Sequence, residues 1–277
     1  MRIHLMTRGL TDDYRFLGDA PAEQRWTAFG RLTSFDHRSL LLRGGPDGWW
    51  LYLSAIPSVR RDRTDTVIRY TTVLTGAASE DTSRVAGLVR EWLSQGETPA
   101  EPGVLSGLLD EQFPADVVER LLRPGDAAAE TAAEVARRFA AVLDKLDTDD
   151  AEPGDSADRN VSWLGEARSD RAVDRLVRRA AALLGGAEGW ALVLNLANEE
   201  DARAWLADQP GGEHAVLVTD RLRSEVVEID PKGLADVAPR RRGHRSPLWW
   251  AAVLGGATVA LAGLVLLIIW VVTRGTR

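Results

Sequence analysis

Short apolar and β-branched runs separated by turn-forming residues dominate the first part of the chain and predict strands. Arg2 to Thr7 is one such run, and Thr66 to Thr75 (TVIRYTTVLT) is another. Between them, Ser39 to Arg43 and Trp49 to Ser54 flank the turn sequence Gly44-Gly45-Pro46-Asp47-Gly48, which is the pattern of a hairpin. The run WWLYL (Trp49 to Leu53) is apolar at consecutive positions, so its strand is expected to be covered on both faces. From Glu80 to Leu93 the period lengthens to that of a helix, with Val85, Leu88, Val89 and Trp92 on one face and Ser79 placed as its cap. Residues 1–97 therefore read as a strand-rich α+β module.

Residues 98–146 are helical in pattern. Thr98 to Gly103 interrupts the preceding module, and Val104 to Phe113, Ala115 to Leu122 and Ala127 to Leu146 form three helices separated by Pro114 and by Pro124-Gly125. Residues 147–159 (DTDDAEPGDSADR) are acidic, poor in apolar side chains and punctuated by Pro153 and Gly154, and predict a flexible linker. Residues 160–232 then read as a small α/β module. Val161 to Leu164, Trp190 to Leu196, His214 to Thr219 and Ser224 to Ile229 are its strands. Its helices are a first one capped by Ser169 and stopped at Gly185-Gly186, and a second one opened by Asn198 with Asp201. The fold class expected for the chain is α+β, with a helical insert between the strand-rich and α/β modules.

Leu248 to Val272 (LWWAAVLGGATVALAGLVLLIIWVV) contains no charged side chain and is long enough, at about 1.5 Å rise per residue, to cross a hydrocarbon core of about 30 Å. It predicts a single transmembrane helix with Trp249, Trp250 and Trp270 at headgroup level. Residues 233–247 precede it as a basic juxtamembrane segment carrying Arg240, Arg241, Arg242 and Arg245, whereas Arg274 and Arg277 alone follow it. That asymmetry favours a cytoplasmic body, and Met1 to Leu10 lacks the apolar core of a secretory signal. The chain is thus expected in the cell inner (plasma) membrane as a tail-anchored, single-pass protein with its N-terminus in the cytoplasm. The four arginines are placed to meet anionic lipid headgroups. Ala252, Gly256 and Ala260 recur at the spacing that lets helix backbones approach, which predicts self-association through the span.

Composition narrows the chemistry. The absence of cysteine removes disulfides, thiolate nucleophiles and cysteine-ligated zinc. Lys145 and Lys232 are the only lysines among 34 basic residues, a bias that points to a GC-rich bacterial genome. The net charge of −7 argues against nucleic acid as a partner of the body. No phosphate loop, dinucleotide fingerprint, nucleophile elbow or HExxH pair is present, so neither a cofactor nor a metal is expected.

The densest polar constellation is Arg60-Arg61-Asp62-Arg63-Thr64-Asp65 leading into Arg69-Tyr70, with Tyr14 on the same module. Arg60, Arg61, Arg63 and Arg69 are the candidate binding residues, because guanidinium groups hold phosphate or carboxylate through paired hydrogen bonds. A solvated turn with mutually neutralising charges is the competing reading. His37 beside Asp36, or with Asp12, is the candidate acid or base of a hydrolase, against a polar turn at a strand entrance. His4 and His214 read as strand residues, Asp12-Asp13 as a turn or helix start, and Asn198 as a helix cap near Asn195.

These features describe a membrane-tethered adaptor or sensor, in bacterial signalling or defence, whose body binds another protein or an anionic ligand. The alternatives are a tethered hydrolase with an unfamiliar site and an effector that perturbs the membrane on oligomerisation. The topology is open to test with a reporter at Met1, which is expected to be accessible to cytoplasmic labelling; protection of that end would contradict it.

Overall fold

Two periods of apolar residues, one of about 2 and one of about 3.6, resolve into nine strands and six helices among the described residues. The computed structural model describes residues 1–33, 37–95, 103–123, 128–146, 161–196, 198–207, 213–218, 222 and 224–229. The strands are β1 (Arg2–Thr7), β2 (Arg15–Phe16), β3 (Leu40–Gly44), β4 (Trp49–Arg61), β5 (Val67–Gly76), β6 (Ser162–Glu166), β7 (Gly189–Val193), β8 (His214–Val218) and β9 (Val226–Ile229). The helices are α1 (Thr82–Ser94), α2 (Val104–Gln112), α3 (Ala115–Leu121), α4 (Ala128–Lys145), α5 (Asp170–Leu184) and α6 (Glu199–Ala207). Two 3-10 turns over Arg25–Leu32, kinked at Gly30, complete the list.

The predicted linker 147–159, the basic segment 233–247 and the apolar segment 248–272 lie outside the described residues. Among the described residues no helix is long and apolar enough to cross a membrane.

All nine strands join one mixed sheet in the order β2-β1-β5-β4-β3-β7-β8-β6-β9. The strands of both sequence modules therefore share it, joined where β3 pairs antiparallel with β7 from Leu40↔Val193 to Gly44↔Gly189. The β3–β4 hairpin forms as expected, but β4 runs well past Ser54 to Arg61. Beyond β7, the β6–α5–β7 crossover moves one way across the sheet and the β7–α6–β8 crossover returns. A common hand for both crossovers requires their helices on opposite faces. Leu176 and Ala180 of α5 accordingly lie in one core, and Ala202 and Leu206 of α6 in the other.

The first face is thickly covered. Leu40, Leu42, Leu51, Leu53, Tyr70 and Leu74 point into a core closed by α1, the three insert helices and α5. Trp92 of α1 is fully buried there, its indole N–H donating to the Ser54 carbonyl at 3.1 Å, with the Arg38 guanidinium 4.1 Å from its ring centroid. The insert helices are clamped to one another by Glu134, which accepts from Arg120 at 2.7 Å and from Arg138 at 2.8 Å; these bonds hold its carboxyl down to about 2. The second face has a thinner cover of the 3-10 turns and α6 over Leu41, Trp50, Tyr52, Leu192 and Val216. Trp49 to Leu53 is buried at every position, as the unbroken apolar run predicts.

Local signals mostly act as expected. The Ser169 hydroxyl accepts from the Ala172 amide at 3.3 Å, and Asn198 accepts from the Asp201 amide at 2.8 Å. Ser79 does not cap α1. It sits at φ 66° and its amide donates to the Leu184 carbonyl, while Asp81 occupies the cap position and binds Arg84 at 3.0 Å. The last carbonyls of α5 have no N–H partner within the helix, and the Ser79 amide supplies one to Leu184.

Because β3–β7 pairing is independent of the linker, a protease cut within residues 147–159 is expected to leave the two pieces associated. Size-exclusion chromatography after limited proteolysis checks this; pieces that elute apart would contradict the shared sheet.

Candidate functional site

The arginine cluster read from the sequence lies at one end of β1, β4 and β5. Because β4 continues to Arg61, neighbouring arginines alternate between faces of the sheet. Arg60 turns to the helical face. Its side chain is only 10 % exposed, donates to Thr7 Oγ1 at 3.0 Å, the Arg8 carbonyl at 3.2 Å and Ser58 Oγ at 3.1 Å, and lies 5.1 Å from the Tyr70 ring centroid. Its Nε is also 3.8 Å from Asp110 of α2. Asp110 is the hub there: it accepts from the Ser58 hydroxyl, from the Val59 amide at 2.7 Å and from the Tyr70 hydroxyl at 3.0 Å. Burial pushes the Tyr70 hydroxyl pKa up, and the neighbouring Asp110 carboxylate adds to that. Arg60 thus ties the insert to the sheet.

Arg61 and Arg69 face the other way. Together with Arg8, Asp13, Tyr14, Asp65, Thr66 and Val67 they line an open groove of about 550 Å³. Arg8 pairs with Asp62 at 3.2 Å and its guanidinium lies 5.6 Å from the Tyr14 ring centroid. Arg61 approaches Asp65 at 3.7 Å. Arg69 forms no ion pair among the described residues, and its buried Nε has no hydrogen-bond partner. The Tyr14 hydroxyl accepts from the Arg69 backbone amide at 3.1 Å, which fixes the tyrosine beside it.

The turn beneath is held by hydrogen bonds to the Asp62 side chain. Asp62 accepts from the Thr64 hydroxyl at 2.7 Å and from the amides of Thr64 and Thr66 at 2.8 and 2.9 Å. The Thr64 hydroxyl, the Thr66 amide and then the Thr64 amide and the Arg8 charge hold its carboxyl below the usual range. Arg63 stands exposed in this turn, outside the groove lining. Sequence reading named Tyr14 beside the cluster but missed Arg8. The alternation Arg2, His4, Met6, Arg8 along β1 marks one face, but only the pairing of β1 with β5 brings its end to Arg69.

The other sequence candidates separate. His37 is exposed, and its carbonyl accepts from the hydroxyls of Ser39 at 3.3 Å and Ser54 at 2.8 Å; Asp36 lies outside the described residues. Asp12 is engaged by Arg15 at 3.3 Å and Arg123 at 2.9 Å. His4 is buried with Nδ1 3.2 Å from the Asp19 carbonyl, and His214 is buried between Trp190 and Trp205. Arg240, Arg241, Arg242 and Arg245 lie outside the described residues. Among the described residues no three His, Asp or Glu side chains gather to hold a metal ion.

A second concavity opens on the thinly covered face at the far end of the same strands. It encloses about 1120 Å³ and is lined among others by Arg2, Arg25, Trp26, Arg43, Trp50 and Thr75. No protein-family model, curated protein or solved structure matches the chain.

Asp110 gathers the Ser58 and Tyr70 hydroxyls, the Val59 amide and the Arg60 guanidinium at one point, so Asp110→Ala is expected to lower the unfolding free energy by about 2–4 kcal/mol. Urea denaturation measures it; a loss under about 0.5 kcal/mol, the range of neutral surface changes, would contradict the assignment of Arg60 and Asp110 to structure.

Proposed function

We propose that this chain is a membrane-tethered adaptor or sensor whose body recognises an acidic segment of a partner protein. In this reading Leu248 to Val272 is a single-pass anchor in the inner membrane of a bacterium, with the body on the cytoplasmic side. Arg240, Arg241, Arg242 and Arg245 meet anionic headgroups, each contributing about 1 kcal/mol near the surface. One observation supports the recognition role above the others. Arg69 is half-buried beside Arg8 and Arg61, yet its guanidinium forms no ion pair among the described residues. A cation held in that position costs stability unless a carboxylate arrives from outside.

Charge-assisted bonds to carboxylates are about twice as strong as neutral ones, and guanidinium groups take carboxylates through two parallel bonds. The groove is open to solvent, which leaves room for a protein segment laid across it. Tyr14 offers such a segment an aromatic surface with its hydroxyl already fixed by the Arg69 amide. The hydrogen-bonded turn at Asp62 keeps Arg61 and Arg8 in place before any partner arrives, which reduces the ordering cost of binding.

The Arg61→Gln, Arg69→Gln double variant keeps a polar, unbranched side chain at each position while removing both charges. In detergent-solubilised full chain it is expected to weaken capture of acidic-segment partners at least tenfold without lowering the unfolding midpoint. If the double variant keeps every interaction of the parent, the recognition role fails and the cluster is a solvated strand end.

A further inference from the structure

The cleft at the other end of β1, β4 and β5 is built on a row of side chains that runs straight across the sheet. Strand register places Arg2 opposite Thr75, Thr75 opposite Trp50, Trp50 opposite Arg43, Arg43 opposite Trp190 and Trp190 opposite His214. The first four line the cleft, and the polar groups of their side chains are hydrogen-bond donors or a hydroxyl: two guanidinium groups, the Thr75 hydroxyl and the buried Trp50 indole N–H. Three strand spacings separate Arg2 from Arg43, about 14 Å.

Three groups in this row, Trp50, Arg43 and Arg2, have donors without an acceptor or ion-pair partner among the described residues. Trp50 is 4 % exposed, packs edge-on against Trp190 at 5.8 Å and 88°, and its buried Nε1 has no acceptor. Arg43 is exposed, lies 5.5 Å from the Trp190 ring centroid and forms no ion pair among the described residues. The same holds for Arg2, which forms no ion pair among the described residues. The carboxylates around the cleft do not quench this row. Glu80 is taken by the Met1 ammonium and the Ala77 amide, and Glu23 by Arg25 at 2.7 Å; Asp47 and Glu188 stand exposed at the rim. The Glu80 carboxyl is held below its usual range chiefly by that ammonium hydrogen bond, so it stays an anion matched to its own cation.

An aromatic ring also lines the cleft. Trp26 stacks on Tyr52 with ring centroids 5.2 Å apart and 22° between planes, and remains only half-buried. Burial pushes the Tyr52 hydroxyl up to about 12, so the ring under Trp26 stays neutral across the physiological range. A cleft of about 1120 Å³ slightly exceeds the usual size of small-molecule sites, roughly 300–1,000 Å³, and leaves room for a ligand carrying both a ring and an extended anionic group.

We propose that this cleft binds a nucleotide, with its phosphate chain lying along Arg2, Thr75, Trp50 and Arg43 and its base against Trp26. Phosphate oxygens supply the acceptors that the Trp50 N–H and both guanidinium groups lack. An indole face accepts any base by stacking, so the site sets the class of ligand and leaves the choice of base to contacts at the rim. This site is separate from the arginine groove, which lies about 20 Å away along β5, the span from Arg69 to Thr75.

Isothermal titration of detergent-solubilised full chain with ATP, GTP, CTP and UTP tests the proposal, with adenosine and tripolyphosphate as the two halves of a ligand. At least one nucleotide is expected to bind below millimolar concentration and at least tenfold more tightly than either half. Arg2→Gln with Arg43→Gln is expected to weaken it at least tenfold. Trp50→Phe, which keeps a ring but removes the N–H, is expected to weaken it several-fold with an unchanged circular dichroism spectrum. Arg61→Gln with Arg69→Gln is expected to leave it unchanged. No binding by any of the four, tripolyphosphate binding as well as the best nucleotide, or variants at positions 2, 43 and 50 that bind like the parent would each overturn the proposal. Tighter binding of a single-stranded RNA oligonucleotide than of the mononucleotides would overturn it as well.

Discussion

The pairing of β3 with β7 is the contact on which the rest of the molecule depends. Without it an antiparallel half, β2-β1-β5-β4-β3, and a largely parallel half, β7-β8-β6-β9, would each expose a long edge strand. The seam is apolar on both sides: Leu40 and Leu42 with Val193 and Ala191 on one face, Leu41 with Leu192 on the other. It also admits a helix at close range. A Cβ at Gly44 would collide with the Leu183 carbonyl at the end of α5, so only glycine lets β3, β7 and α5 meet there. Gly189, its partner across the seam, has φ 131° and would place a Cβ against the Glu213 carbonyl. The same register sets Arg43 beside Trp190, so the cleft inherits its geometry from the seam.

Unequal cover of the two faces explains where binding surfaces arise. Five helices fill the first face, and polar groups that reach it, such as Arg60 and Asp110, are consumed by holding the insert in place. Two 3-10 turns and α6 cover only part of the second face, which leaves both ends of β1 and β5 open. Arg8 and Arg69 stand at one end of these strands and Arg2 and Thr75 at the other, all on the same face by strand alternation. A partner in the groove and a ligand in the cleft would thus rest on one rigid pair of strands.

Much of the local structure was legible in the sequence because it depends on neighbours in the chain. The Ser169 cap, the Asn198–Asp201 helix start, the three insert helices and the two-sided burial of Trp49 to Leu53 all follow from short-range pattern. What was not legible depends on pairing. The arginines at 60 and 61 read as one cluster until β4 is known to reach Arg61, at which point alternation sends them to opposite faces. Arg8 joins Arg61 and Arg69, and Arg2 joins Arg43, only through registers that no local signal encodes. The two-residue strand β2 and the kinked 3-10 turns are too short to leave a periodic trace. Ser79 misled because a cap residue is equally good at bridging to another helix end.

The account rests on a single sheet closed at β3 and β7, and amide hydrogen exchange of the full chain, read by mass spectrometry, addresses that most directly. Peptides covering Leu40–Gly44 and Gly189–Val193 lie in the middle of the sheet and are expected to be among the slowest to exchange, and to exchange together as denaturant is added. Fast exchange of Gly189–Val193 while Leu40–Gly44 stays protected, or loss of one well before the other, would show that the two halves do not share a sheet.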